Sequence, residues 1–296
     1  MDLPFYIVDV FAPRPLTGNP LAVVQVTTAA QLDDQRFQAI AREMNYSETT
    51  FILDTTPRES GYPVRIFTPD QELPFAGHPT LGTAYVLLKH ILTKPQHPIT
   101  LSLAVGSIPV TVEPQLGREL LWMRQNPPDW GQTVPIAPLT EVLGLDATAF
   151  DPALPIQEVS TGVPFLIVPL RRYADLDRIV INRAAYYQLI APLAAKAILV
   201  FCPETRSPEQ QLAVRMFGEA MGVPEDPATG SANGCLAAYL SQHQVLGMAT
   251  VDIRVEQGAQ IQRPSILHLR SRPGPQGIEV QVGGQVMPIA QGVLTL

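Results

Sequence analysis

Cysteine is nearly absent from this chain. Its 296 residues carry two, Cys202 and Cys235, each inside an apolar pattern, so buried reduced thiols in a cytoplasmic protein are expected. Long apolar runs are missing as well: none approaches the ~18 residues that a membrane-spanning helix takes. The opening Met1-Asp-Leu-Pro-Phe-Tyr-Ile-Val-Asp-Val10 lacks the basic start of a signal peptide and reads as a first strand. Lys and Arg form no cluster, and a net charge of −7 disfavours a nucleic-acid partner. The five histidines show neither i, i+4 helical spacing nor a cysteine neighbour, so no metal is expected. Gly-x-Gly-x-x-Gly, Walker-type and Gly-x-Ser-x-Gly motifs are all lacking, which removes sequence support for nucleotides, nicotinamide or flavin cofactors and for a serine-hydrolase elbow. The expectation is a protein that needs no metal or cofactor.

What is present is a large core and a repeat. Hydrophobic residues make up 46% and charged residues 16%, which suits a soluble globular protein of two ordinary domains. Four landmarks recur in order with an offset of about 150 residues. Thr17-Gly-Asn-Pro20 before an apolar strand matches Thr161-Gly-Val-Pro164. The strand ending Phe51-Ile52 matches the one ending Leu199-Val200. Arg65-Ile-Phe67 matches Arg215-Met-Phe217, and the strand breaks at Gly106 and Gly258 match each other. Such a period is too long for a solenoid and points to two similar domains with a site in the cleft between them.

Residues 33–44 have the i, i+3, i+4, i+7 apolar spacing of an amphipathic helix. Residues 80–91 and 231–242 are apolar nearly all round, so each is expected to be wrapped on all sides. The fold class is therefore α+β: two pseudo-symmetric domains, each a curved, mostly antiparallel sheet around a central helix. The expected boundaries are 1–125 and 133–289, with Asn126–Gln132 as linker and a C-terminal strand near 290–296 returning to the first domain.

Pro79 and Pro227 suit the first helical position, where a missing N–H costs nothing, which puts His78 and Asp226 in the cap positions. Amides of Gly77, Thr80, Gly230 and Ser231 would then be free to hold an anion. Glu48 opens an otherwise apolar strand, and by offset Lys196 stands at its place in the second copy. A position where the copies differ in charge is a candidate for function, and Glu48 for a general acid/base.

At these residues the chain resembles the phenazine-biosynthesis isomerase family (PhzF-like proteins), which shares the diaminopimelate epimerase fold. The stretches that carry the resemblance are Val8-Asp-Val-Phe11 with Thr17-Gly-Asn-Pro20, Ser47-Glu-Thr-Thr-Phe51, and Arg65-Ile-Phe-Thr-Pro69 with Glu72-Leu-Pro-Phe-Ala-Gly-His-Pro79. In the second half they are Thr161-Gly-Val-Pro164, Arg215-Met-Phe217, Glu225-Asp-Pro-Ala-Thr-Gly-Ser-Ala232, Glu256-Gln-Gly258 and Arg263-Pro-Ser265. The resemblance implies a cofactor-independent isomerase that moves a proton on a small carboxylic acid. Glu48 would be the proton carrier, with His78, Asp226 and Ser231 in support. Substrate-binding backbone would come from Ser47, Gly77 and Gly230, and a homodimer is possible. Diaminopimelate epimerases use two cysteines at the two helix starts; here those places hold Ala76 and Pro227. A cofactor-free epimerase and a binding homologue without catalysis are the alternatives.

Overall fold

Asp33 accepts a hydrogen bond from the Arg36 amide at 2.9 Å, and Asn45 closes the same helix in the left-handed conformation at φ 54°. Between these caps runs the helix Asp34–Met44, which buries Phe37, Ile40 and Ala41 against Phe51 and Phe67. Phe37 meets Phe51 edge-on at 4.8 Å between ring centroids. Each such side chain removed from water contributes about 1.5–3 kcal/mol, which offsets the cost of ordering so short a helix.

The computed structural model describes residues 1–26, 32–94, 97–115 and 117–296. Contacts divide the chain into two units: Met1–Arg124 with Gly283–Leu296, and Gln125–Val282.

In the first unit, Asp2–Val10 pairs antiparallel with Asn19–Gln25 and with Val286–Thr295. The latter extends the strand expected near 290–296 back to Val286. It skips a residue between its partners Ile7 and Val8, so the irregular alternation is a bulge rather than a break. Asn19–Gln25 runs parallel to Glu48–Ile52, which pairs antiparallel with Tyr62–Phe67. Ile99–Leu103, Gly106–Gln115 and Arg118–Arg124 continue the sheet.

The helix Gly77–Val86 lies against this sheet with Leu81, Ala84 and Val86 fully buried. Gly82 makes the close approach possible: a Cβ there would come within 2.4 Å of the Leu21 side chain. The helix tightens its contact through the Thr83 hydroxyl, which donates to the Thr50 hydroxyl at 2.8 Å. It continues as a π-helical turn, Leu87–Ile91, whose Lys89 and His90 are exposed, so the all-round burial expected over 80–91 ends near Leu87.

The second unit repeats the plan. Ile156–Ser160 pairs antiparallel with Pro164–Pro169, which runs parallel to Ile198–Cys202, then antiparallel to Leu212–Gly218, and Val251–Gln257 lies parallel to the last of these. Its central helix, Gly230–Gln242, is buried from Gly230 to Ser241. The expected linker is not one: Asp129–Val134 is a strand paired with Ile156–Ser160. Its side chains are exposed up to Val134, which is partly buried, and a strand whose backbone is held by a neighbour tolerates polar composition.

Register corrects one equivalence drawn from the sequence. Arg65 faces Phe51 and Arg215 faces Val200, so Glu48 corresponds to Ala197 and not to Lys196. Lys196 instead donates to the carbonyls of Ile190 and Leu193 at 2.8 and 2.7 Å, closing the C-terminus of the helix Arg183–Ile190.

Candidate active site

Asn19 opens the second strand of the first unit, and its approach is tightly constrained. Phe11 and Leu16 both take positive φ without being glycine, and the Asp9 carboxylate accepts the Leu16 amide at 2.8 Å. Gly18, at φ 72°, would place a Cβ 2.3 Å from the Val10 carbonyl oxygen. The result is that the Asn19 side chain, fully buried, reaches His78 Nδ1 at 3.1 Å through its amide nitrogen. An amide nitrogen only donates, so Nδ1 accepts and the ring carries its proton on Nε2. That Nε2 lies 3.4 Å from Oε2 of Glu48.

His78 is 3% exposed and Glu48 13%. Burial pushes the imidazole down to about 3. The Glu48 carboxylate pulls the other way, but desolvation prevails and the ring is neutral through the physiological range. The pair is thus a neutral donor beside a carboxyl group, not an ion pair.

An acid sensitivity follows. Unfolded histidine titrates near 6.5. Between that and about 3 the unfolded chain binds a proton that folded His78 does not, so stability falls as pH drops through this window. Urea unfolding at pH 7 and pH 4.5 should show His78→Asn losing about 2–3 kcal/mol less than the parent. Equal losses would mean that His78 is protonated in the folded state.

Of the other expected site residues in the first unit, Ser47 precedes Glu48 and is partly buried, and Gly77 is the first residue of its helix. The capping scheme inferred from the prolines does not hold. The caps are Ala76 and Thr229, so His78 is the second helical residue, Pro79 the third, and Asp226 and Pro227 precede the second helix altogether. Thr80 N–H is occupied by the Ala76 carbonyl at 3.3 Å. The amides to which the helices offer no acceptor are those of Gly77 and His78 in the first and of Gly230, Ser231 and Ala232 in the second.

In the second unit, Asp226 ends the strand Val223–Asp226 and is buried, with the Thr229 hydroxyl donating to its carboxylate. Gln257 ties the segment together: its amide nitrogen donates to the Asp226 carbonyl at 2.8 Å, and its oxygen accepts from Asn233 at 2.9 Å. Gln125 donates to the Gly230 carbonyl at 3.0 Å and accepts the Thr161 hydroxyl at 2.6 Å. Ser231, second in the helix, is buried. The expected residues therefore fall into two sets: Ser47, Glu48, Gly77 and His78 in the first unit, Asp226, Gly230 and Ser231 in the second.

Sequence reasoning assigned no role to Asn19, Gln125, Thr229 or Gln257. Asn19 had a signal, being the one polar difference between the two Thr-Gly-x-Pro segments. Gln125 had none, since nothing local marks a side chain that folds back on a distant helix start.

Neither helix start carries a thiol. Cys235 lies farther along its helix, fully buried, and burial pushes both Cys235 and Cys202 up to about 12. Among the described residues no group of three or more His, Cys, Asp or Glu could hold a metal ion.

Comparison with known proteins agrees over nearly the whole chain. The family model for phenazine biosynthesis-like proteins matches residues 8–292. The trans-2,3-dihydro-3-hydroxyanthranilate isomerase of Pseudomonas aeruginosa is 35% identical over 291 residues, covering 97% of this chain and 98% of its own. Among solved structures, a PhzF-family phenazine biosynthesis protein of Bacillus anthracis superposes with a TM-score of 0.89 over 100% of both chains at 24% identity. A protein of Pseudomonas aeruginosa described as a predicted epimerase does so with 0.81 over 99% of both at 32%. With its repeated topology and its paired buried helices, the chain belongs to the phenazine biosynthesis-like (PhzC–PhzF) family of isomerases.

Proposed function

We propose that the protein is a cofactor-independent isomerase that shifts a proton within a small carboxylic acid, and that Glu48 takes and returns that proton. The observation that carries this reading is the neutral, buried His78 with its Nε2 3.4 Å from the Glu48 carboxyl. A neutral donor can steady a carboxylate without the full loss of basicity that an imidazolium would impose, which suits a group that must accept a proton and release it again. One such group is enough when the two carbons lie on the same face of the substrate.

The amides of Gly77 and Gly230, each first in a buried helix of its own unit, are each suited to bind a carboxylate with help from the helix dipole. Ser47 and Ser231 would add contacts, and Asp226 would orient or polarise the substrate. The Pseudomonas relative is named for trans-2,3-dihydro-3-hydroxyanthranilate, a cyclic amino acid, which makes that class the first to test.

A solved structure at 32% identity is described as that of a predicted epimerase, so epimerisation is the second reading. It would need acids on both faces of one carbon, for which Glu48 and Asp226 are the candidates. A two-thiol mechanism is disfavoured by Ala76 and Thr229 at the caps. Thermal-shift screening of carboxylic acids, including trans-2,3-dihydro-3-hydroxyanthranilate, followed by NMR in D₂O, separates these readings. The expected product is a positional isomer carrying one solvent deuterium. Deuterium at a retained stereocentre would favour the epimerase, and a ligand bound without any exchange would indicate a binding protein.

A further inference from the structure

The two units make the same turn-strand-helix arrangement with different chemistry at three equivalent places. The first unit has Asn19, Glu48 and His78; the second has Val163, Ala197 and Ser231. Val163 follows Gly162, which is also at positive φ, and precedes the proline that enters the paired strand. A Thr-Gly-x-Pro approach to the strand therefore does not need asparagine for folding. Asn19 nonetheless sits where its amide meets the one ring nitrogen of His78 that does not face Glu48. Its placement is costly, because Phe11 and Leu16 both take positive φ just ahead of it.

We propose that Asn19 is a positioning residue for the proton-transfer step: by donating to His78 Nδ1 it holds the ring as the Nε2–H tautomer, with the protonated nitrogen on the side that faces Glu48, 3.4 Å away. The inference rests on the reading of Glu48 as proton carrier only for its effect on turnover; the tautomer is a property of the folded protein alone. Without the Asn19 donor the proton is free to sit on Nδ1. Nε2 would then present a lone pair to the carboxyl oxygen, and the arrangement becomes repulsive for an ionised Glu48.

The test uses ¹⁵N-labelled full-length protein and the parent and Asn19→Val variants, valine being the residue at the equivalent place in the second unit. Two-dimensional ¹H–¹⁵N spectra report which ring nitrogen of His78 is protonated. The parent should show only the Nε2–H form between pH 6 and 8. Asn19→Val should show a mixture, with kcat reduced about 10–100-fold, KM changed less than threefold and the unfolding transition still cooperative. Should the valine variant not fold, Asn19→Ala replaces it, and the parent spectrum alone still decides. Nδ1–H in the parent overturns the proposal, as does a variant that keeps pure Nε2–H. An altered tautomer with unchanged kcat would retain the positioning of His78 but remove its role in turnover, which also contradicts the proposal. Absence of any turnover in the parent, with the expected tautomers, would count against the isomerase reading and not against Asn19.

Discussion

Replacing Glu48 by Gln is expected to lower turnover by roughly 10²–10⁴-fold, the usual worth of a general acid/base. The amide keeps the shape of the carboxyl group beside His78 Nε2, 3.4 Å away, so the protein should stay folded. What it loses is the capacity to hold a proton reversibly. Stability should change by less than about 1 kcal/mol, because Gln keeps the volume and packing of a side chain that is 13% exposed. Glu48→Asp, which retracts the same group by one methylene, should fall between the two. A Gln variant with full activity would remove Glu48 from the mechanism.

Arg215→Ala should be the most damaging single change to the fold among the charged residues described above. The guanidinium is 8% exposed and forms a fork with Glu225 at 2.9 and 2.7 Å. Its remaining nitrogen donates to the carbonyls of Leu176 and Ile179 at 3.0 and 3.2 Å, and its plane lies 4.9 Å over Phe217. Truncation leaves a largely buried carboxylate and two buried carbonyls without their donor, a loss of about 3–5 kcal/mol. That is a large part of the 5–15 kcal/mol typical of a whole domain. Arg65 is the same device in the first unit, paired with Glu72 at 2.7 and 2.6 Å and stacked on Phe37 and Phe67. It is 24% exposed and its partners more so, so solvent screens the pair and Arg65→Ala should cost about 1–2 kcal/mol. Equal losses in urea unfolding would show that burial does not separate the two copies. Replacing Arg215 and Glu225 together by Met should recover much of the loss, since no charge is then left alone.

Much of this fold could be read from the chain because it is stated twice. Arg65 and Arg215, Gly77 and Gly230, and the two apolar helices mark equivalent points that periodicity alone locates. The helix starts were placed wrongly for a specific reason. Proline is tolerated throughout the first turn, where no intrahelical N–H bond exists to lose, so Pro79 does not reveal that Gly77 is the first helical residue. Pro227 lies outside its helix, in a segment held by Thr229 and Gln257. Lys196 was matched to Glu48 by counting across loops of unequal length, an error of one residue that only strand register corrects. The Asn19 contact to His78 depends on a loop with three positive φ values, which no local pattern announces.

The most direct test of the central claim is exchange of substrate hydrogen with solvent, followed by NMR in D₂O for the parent, Glu48→Gln and Asp226→Asn with one carboxylic acid found to bind. The account predicts that the parent exchanges the migrating hydrogen, that Asp226→Asn exchanges it more slowly, and that Glu48→Gln, though it still binds the acid, exchanges it at least about 100-fold more slowly. Exchange by Glu48→Gln at the parent rate would show that another group carries the proton.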